Sequence, residues 1–249
     1  MALVGLCGLV VGSFVNAVID DVSRPDRLVP AQSYCSACGA PTKRRHIVPA
    51  VIWLVRRGRC PTCRARISLR DPLVEVGAAV LFVVLFVRLN TLGQLAAAPA
   101  FLYFAALGLA LALIDAQTHR LPDRLVLPSY PILAVLLAGA AGLRADGWSL
   151  ARSLIGGAVL FALFFLVALA HPAGLGFGDV KFAGLIGGVL AYLSWPALLL
   201  GVFAGFVLAA VVGVVLIAAG RASRRTALPF GPFLVLGALL GVFGAEPTG

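Results

Sequence analysis

Eight apolar runs, at roughly 2–19, 73–89, 96–114, 125–143, 152–170, 182–194, 197–219 and 229–245, leave this chain few ways to fold. An uncharged run of about 18 or more residues reads as a membrane-spanning helix. In hydrocarbon every backbone N–H and C=O must be satisfied internally, which selects helices. The sixth run is short, and Trp195-Pro196 predicts a tight hairpin between it and the seventh. Composition agrees: hydrophobic residues make up 61% of the 249 positions, charged residues 12%, and mean hydropathy is +1.03. Soluble domains carry about 45–50% apolar and about 25% charged residues. The expected fold class is all-α, a polytopic membrane helix bundle of about eight transmembrane helices with a small cytoplasmic zinc-knuckle loop. The expected domains are a first transmembrane helix (1–19), a cytoplasmic four-cysteine loop (20–72) and a transmembrane core (73–249). No internal repeat is evident.

The first run has no Lys or Arg ahead of it, and basic residues follow it. That polarity fits a retained anchor with its N-terminus outside, not a cleaved signal. The cytoplasmic loops are then 20–72, 115–124, 171–181 and 220–228, and they hold seventeen of the 20 lysines and arginines. Only Arg88, Arg144 and Arg152 fall on the far side. This asymmetry satisfies the positive-inside rule along the whole chain. The net charge of +10 therefore faces anionic inner-leaflet lipid, and no nucleic-acid partner is expected.

The 20–72 loop carries four of the five cysteines, as Cys35-Ser-Ala-Cys38 and Cys60-Pro-Thr-Cys63. Each C-x2-C turn converges two thiolates, and two turns supply the tetrahedral four-sulfur set that zinc prefers. The 21 intervening residues slightly exceed the usual spacing of about 15–20. Two disulfides would need an oxidising compartment, and charge places this loop in the cytoplasm. A loop of this size also has too little core to hold itself together without a staple. A structural zinc on Cys35, Cys38, Cys60 and Cys63 is expected; four thiolates leave no open position for catalysis. Cys7, inside the first helix, reads as packing.

An ionisable residue at membrane depth marks function by default, because burying it is costly. Asp20, Asp21, Asp26 and Asp71 belong to the hydrophilic loop, and Asp146 and Glu246 to short segments on the far side. Glu75, Asp115, Asp123 and Asp179 remain. Asp115 ends the apolar run from Phe101 to Ile114; Asp179 lies in Gly174-Leu-Gly176-Phe-Gly178-Asp179-Val-Lys181. Either alone would read as the cap of a helix end. On separate helices at the same membrane boundary, they are free to face each other. Two opposed carboxylates sharing a proton are what an aspartyl protease needs. Gly176 and Gly178 would let a substrate backbone approach closely.

Six segments, in order, carry a resemblance to a known family: Gly12-Ser-Phe-Val-Asn16; the paired C-x2-C loop with Arg57-Gly-Arg-Cys60; Ile67-Ser-Leu-Arg-Asp-Pro-Leu-Val-Glu75; Leu113-Ile-Asp115 with Leu121-Pro-Asp123 and Leu127-Pro128; Gly176-Phe-Gly-Asp-Val-Lys181; and Pro229-Phe-Gly-Pro-Phe233. Together they resemble the type IV prepilin peptidases, the bacterial Gly-x-Gly-Asp intramembrane aspartyl proteases. The resemblance implies that Asp115 and Asp179 are the catalytic pair and that Asp123 is structural, fixing the loop after the third helix. It implies support from Gly176, Gly178, Lys181 and Glu75. Lys181 would tune the Asp179 carboxylate or anchor to lipid phosphate, and Glu75 would hydrogen-bond within the bundle or line the substrate path. Two departures concern the loop alone: Asp20-Asp21 stands where relatives place a basic residue, and Ser36 where many have proline.

The implied activity is cleavage of the short basic leader of a prepilin or pseudopilin at the cytoplasmic face of the bacterial inner membrane. Many relatives also methylate the new N-terminus with S-adenosylmethionine, and here that activity rests on resemblance alone. Helix ends give one more expectation. The C-terminal end of its own helix opposes charge on Asp115, and a helix N-terminus favours charge on Asp179, so Asp179 would be the ionised base and Asp115 its protonated partner. The competing non-enzymatic reading is a membrane transporter or assembly subunit whose buried carboxylates carry protons. A presenilin-like protease with another client and a pure methyltransferase complete the alternatives. The resemblance names neither the particular client nor the oligomeric state.

Overall fold

The structure, a computed structural model, describes residues 1–23, 59, 63–65, 69–170, 176–221 and 228–246. The chain is an all-α polytopic membrane bundle that forms two compact units, Met1–Phe86 and Val87–Gly249. Of the four loop cysteines only Cys63 is among the described residues, so the expected zinc site lies outside them.

The first unit holds α1 (Ala2–Ser23) and all but the end of α2 (Arg70–Thr91). Glycines let the two backbones touch: a Cβ at Gly8 would lie 2.6 Å from Ala79 Cα, and one at Gly12 would lie 2.7 Å from Glu75 Cα. Small residues at such crossings are how helices pack where water supplies no driving force. One turn further on, Asn16 Nδ2 donates to the Asp71 carbonyl at 2.9 Å. The first helix is longer than its apolar run. Asp20 and Asp21, expected in the loop, lie in its last turns, and Asp20 faces Arg70 at 3.9 Å. Asp71 likewise stands in the first turn of α2 and not in the loop.

The second unit contains a 3₁₀ turn (Leu95–Ala97), α3 (Ala98–Thr118), α4 (Asp123–Arg144), α5 (Gly147–Ala170), α6 (Phe177–Leu193), α7 (Trp195–Ala218) and α8 (Gly231–Gly244). Every one of the eight expected runs is a helix. Among the described residues six helices are long and apolar enough to cross a membrane: α1 to α5 and α7. The outer faces stay apolar; Leu199, Phe203 and Val214 on α7 are exposed. Such faces suit lipid, and α6 and α8 are shorter.

Helix α6 is the axis of this unit. From Val180 to Leu193 nearly all its residues are buried, as a helix apolar on every side must be. Its glycines explain how neighbours come so close: a Cβ at Gly156 of α5 would fall 2.9 Å from the Gly187 carbonyl, and one at Gly187 would fall 2.9 Å from Leu160 Cβ. The α7–α8 pair repeats the device, with Gly237 against Gly205 and Gly241 against Ala197 and Gly201. Ser194 makes the expected hairpin. It ends α6 in an extended conformation, and its hydroxyl accepts the Ala197 N–H at 3.1 Å to start α7.

Candidate active site

Three helix ends converge on one cavity of about 310 Å³, lined by Asp115, His119 to Leu121, Asp123, Gly176 to Asp179 and Lys181. Helix α3 outruns its apolar stretch by one turn, so Asp115 stands inside its last turn and is buried. His119 stops the helix. It takes the left-handed conformation, φ 52°, while its N–H still bonds to the Asp115 carbonyl at 2.8 Å. A side chain there costs about 1–2 kcal/mol, and the bend sends Arg120-Leu121-Pro122 along the cavity towards α4.

Asp179 is the third residue of α6, after the N-cap Gly176. Its Oδ1 is buried and has no hydrogen-bond partner among the described residues. The two glycines make room for the chain itself. A Cβ on Gly176 would sit 3.2 Å from Asp179 Oδ2, and one on Gly178 would sit 2.8 Å from Leu121 Cβ. The space expected for a substrate backbone at Gly178 is therefore filled by Leu121, and this glycine serves the contact between the α3–α4 segment and α6.

Lys181 has a partner that the sequence reading did not foresee. Its Nζ lies 2.8 Å from both carboxylate oxygens of Asp123 and 4.9 Å from the Phe177 ring centre. Asp123, the first residue of α4, thus ties that helix to α6. Tyr130 adds a second tie two turns along α4, its hydroxyl donating to the Lys181 carbonyl at 2.6 Å. Glu75 is fully buried in the first unit, with Gly12 against its backbone.

Sequence reasoning missed Gly231. Its backbone N–H donates to Asp115 Oδ2 at 2.8 Å in a buried hydrogen bond. Gly231 opens α8, so that N–H is one of the four donors a helix start leaves without an intrahelical partner. Asp115 thus stands at the C-terminal end of α3 and also accepts from the first turn of α8, a donor that the expectation drawn from helix ends did not include. The signal lay in Pro229-Phe-Gly-Pro-Phe233, where a proline just inside a helix start is the usual signature. His119 and Arg120 were missed as well, because a charged residue beyond an apolar run reads as a loop.

Chemically, the cavity brings together the carboxylates of Asp115, Asp123 and Asp179, from three helices, with cationic side chains beside them. Two family models match the chain: the bacterial peptidase A24 N-terminal domain over residues 6–89, and the type IV leader peptidase family over residues 101–214. Three relatives bear the name prepilin leader peptidase/N-methyltransferase. The one from Pseudomonas putida is 33% identical over 99% of this chain and 91% of its own length. That from Burkholderia pseudomallei strain 1026b is 34% identical over 99% and 86%. That from Aeromonas salmonicida strain A449 is 32% identical over 94% and 87%. No solved structure matches. The transporter reading is set aside: the chain is a peptidase and belongs to the type IV leader peptidase family.

Proposed function

We propose that this chain cleaves the leader of type IV prepilins or pseudopilins with Asp115 and Asp179 as an aspartyl dyad. The observation that carries the reading is that both carboxylates line one cavity, from two different helices. In the proposed mechanism one ionised carboxylate takes a proton from water as the oxygen attacks the scissile carbonyl. The other, protonated, donates to the carbonyl oxygen, giving a neutral tetrahedral intermediate. Collapse breaks the C–N bond: the carboxyl protonated in the first step gives its proton to the leaving amine, and the other, now ionised, takes a proton from the diol, restoring the starting pair.

The cytoplasmic side of cleavage is supported by the distribution of Lys and Arg. The residues that line the cavity, from Asp115 to Asp123 and from Gly176 to Lys181, belong to segments on the positively charged side. The relatives' names extend the proposal to N-methylation of the new terminus, with S-adenosylmethionine as methyl donor. No described residue is assigned to that donor. Zinc remains a proposal on donor chemistry: four cysteines in paired C-x2-C turns fit a closed tetrahedral site that would staple the loop. Metal analysis of the purified protein should find about one zinc per chain, lost in Cys35→Ser.

The deciding experiment is cleavage of a model prepilin in membranes by wild type, Asp115→Asn and Asp179→Asn. Wild type should trim the leader, and both variants should be inactive while remaining folded. Trimming by either variant would remove the dyad.

A further inference from the structure

We propose that Gly231 is a positioning residue of the active site, its backbone N–H holding the Asp115 carboxylate in the orientation the dyad needs. The inference rests on the dyad reading and adds the last helix to it. Among the described residues, the hydrogen bond from Gly231 is the one drawn on the Asp115 carboxylate, and both groups are buried. With one buried donor on Oδ2, the direction of that N–H sets where the oxygen points.

That N–H is itself held from three directions. Phe230, just before it, packs at a tilt against Phe206 at 5.3 Å and Phe164 at 6.3 Å between ring centres. The middle of α8 is locked on α7 through Gly237 and Gly241. At the far end the Arg88 guanidinium donates to the carbonyls of Val242, Phe243 and Ala245, closing the last turn. A donor on a helix fixed at both ends and along its side cannot swing to follow a displaced carboxylate.

Only glycine fits. A Cβ at position 231 would lie 2.9 Å from Asp115 Oδ2, 3.2 Å from its Cβ and 3.3 Å from its Cγ. The methyl of alanine would press on the acid side chain itself, and either the carboxylate rotates off its donor or α8 moves away. Water attack depends on that carboxylate to within fractions of an ångström. Substrate binding along the rest of the enzyme does not.

The test compares Gly231→Ala with Gly108→Ala in the full chain, reading kcat and KM for a model prepilin. Gly108 faces the same helix, its added Cβ meeting Val235 at 3.3 Å without touching Asp115. Gly231→Ala should lose about 10²-fold in kcat with KM changed less than about 2-fold. Gly108→Ala should keep kcat near wild type. Equal kcat for Gly231→Ala and wild type, or an equal fall in both variants, would overturn the positioning role. A second measurement does not need the Gly231 variant to fold. As a helix-start amide, Gly231 N–H owes its exchange protection to Asp115, so Asp115→Ala should speed its hydrogen exchange by at least about tenfold while later α8 amides keep theirs. Unchanged protection would mean that the contact is not made. Cleavage by Asp115→Asn or Asp179→Asn would instead sink the dyad, whatever the Gly231 amide does.

Discussion

Lys181 stands two residues beyond Asp179, yet its ammonium is bidentate on Asp123 and lies against the Phe177 ring. Asp123 is more than half exposed, so the pair is a rim contact that water screens, worth about 0.2–1 kcal/mol. Lys181→Met is therefore expected to lower unfolding stability by no more than about 1 kcal/mol. It should keep leader cleavage within about tenfold of wild type, since tenfold corresponds to 1.36 kcal/mol. Inactivity as complete as that of Asp179→Asn would show the lysine acting on the dyad directly. The charge exchange Asp123→Lys with Lys181→Asp should recover part of the lost stability in a double-mutant cycle. Asp115 and Asp179 were legible because acids next to long apolar runs need a reason to be there. The Lys181–Asp123 pair was not, because it joins positions 58 apart on different helices. Gly231 was less legible still: its donor is a backbone N–H, which carries no side-chain signal.

Helix existence was legible throughout the described residues and helix ends were not, for a physical reason. Apolarity reports the part of a helix in lipid, whereas the ends are set by caps and by polar turns that continue into water. That is why α1 and α3 run past their apolar stretches and take in Asp20, Asp21 and Asp115. The α5–α6 crossing carries an element-scale prediction. Gly187→Ala would put a Cβ 2.9 Å from Leu160 Cβ and closer still to the Gly156 carbonyl. Overpacking of this kind costs about 1–3 kcal/mol, to be read from denaturant or thermal unfolding in detergent. The start of α5 offers a pH-linked one. Asp146 caps this helix, accepting from the Ser149 hydroxyl at 2.5 Å and the Ser149 N–H at 3.0 Å. These hydrogen bonds, the hydroxyl's first, hold its carboxyl below the usual carboxylate range. A depressed folded value means stability that is fully present above the ordinary carboxylate pKa and is lost as pH falls through the folded one. Asp146→Ala should cost about 1 kcal/mol at neutral pH. The gap between variant and wild type should close only in strong acid; a gap that already closes near pH 6 would contradict the cap.

For the whole molecule the open matter is orientation, and the three arginines on the minority side bear on it. Each is engaged with backbone carbonyls. Arg88 closes the C-terminal end of α8, and Arg152 donates to the carbonyls of Ala191, Tyr192 and Leu193 at the end of α6. Arg144 donates to Gly93 in the turn before α3. A guanidinium is suited to this work, with five donors in a fixed fork and charge complementary to a helix C-terminus. These are the exceptions a charge count leaves, and each has a structural reason to be where it is. The other seventeen basic residues then carry the topological signal without dilution. The proposed orientation puts the exposed Trp148, at the start of α5, outside, and the exposed Arg221, just past α7, in the cytoplasm. Single variants Trp148→Cys and Arg221→Cys, treated in intact cells with a membrane-impermeant maleimide, should label at 148 and stay unlabelled at 221 until the cells are opened. Mass mapping of the modified peptide separates these sites from the native cysteines. The reverse pattern would turn the bundle over and put the cavity, with Asp115 and Asp179, on the outer face. The leader of a prepilin held on the inner side would then be out of reach, so this one labelling pattern constrains the proposed chemistry as strongly as the topology.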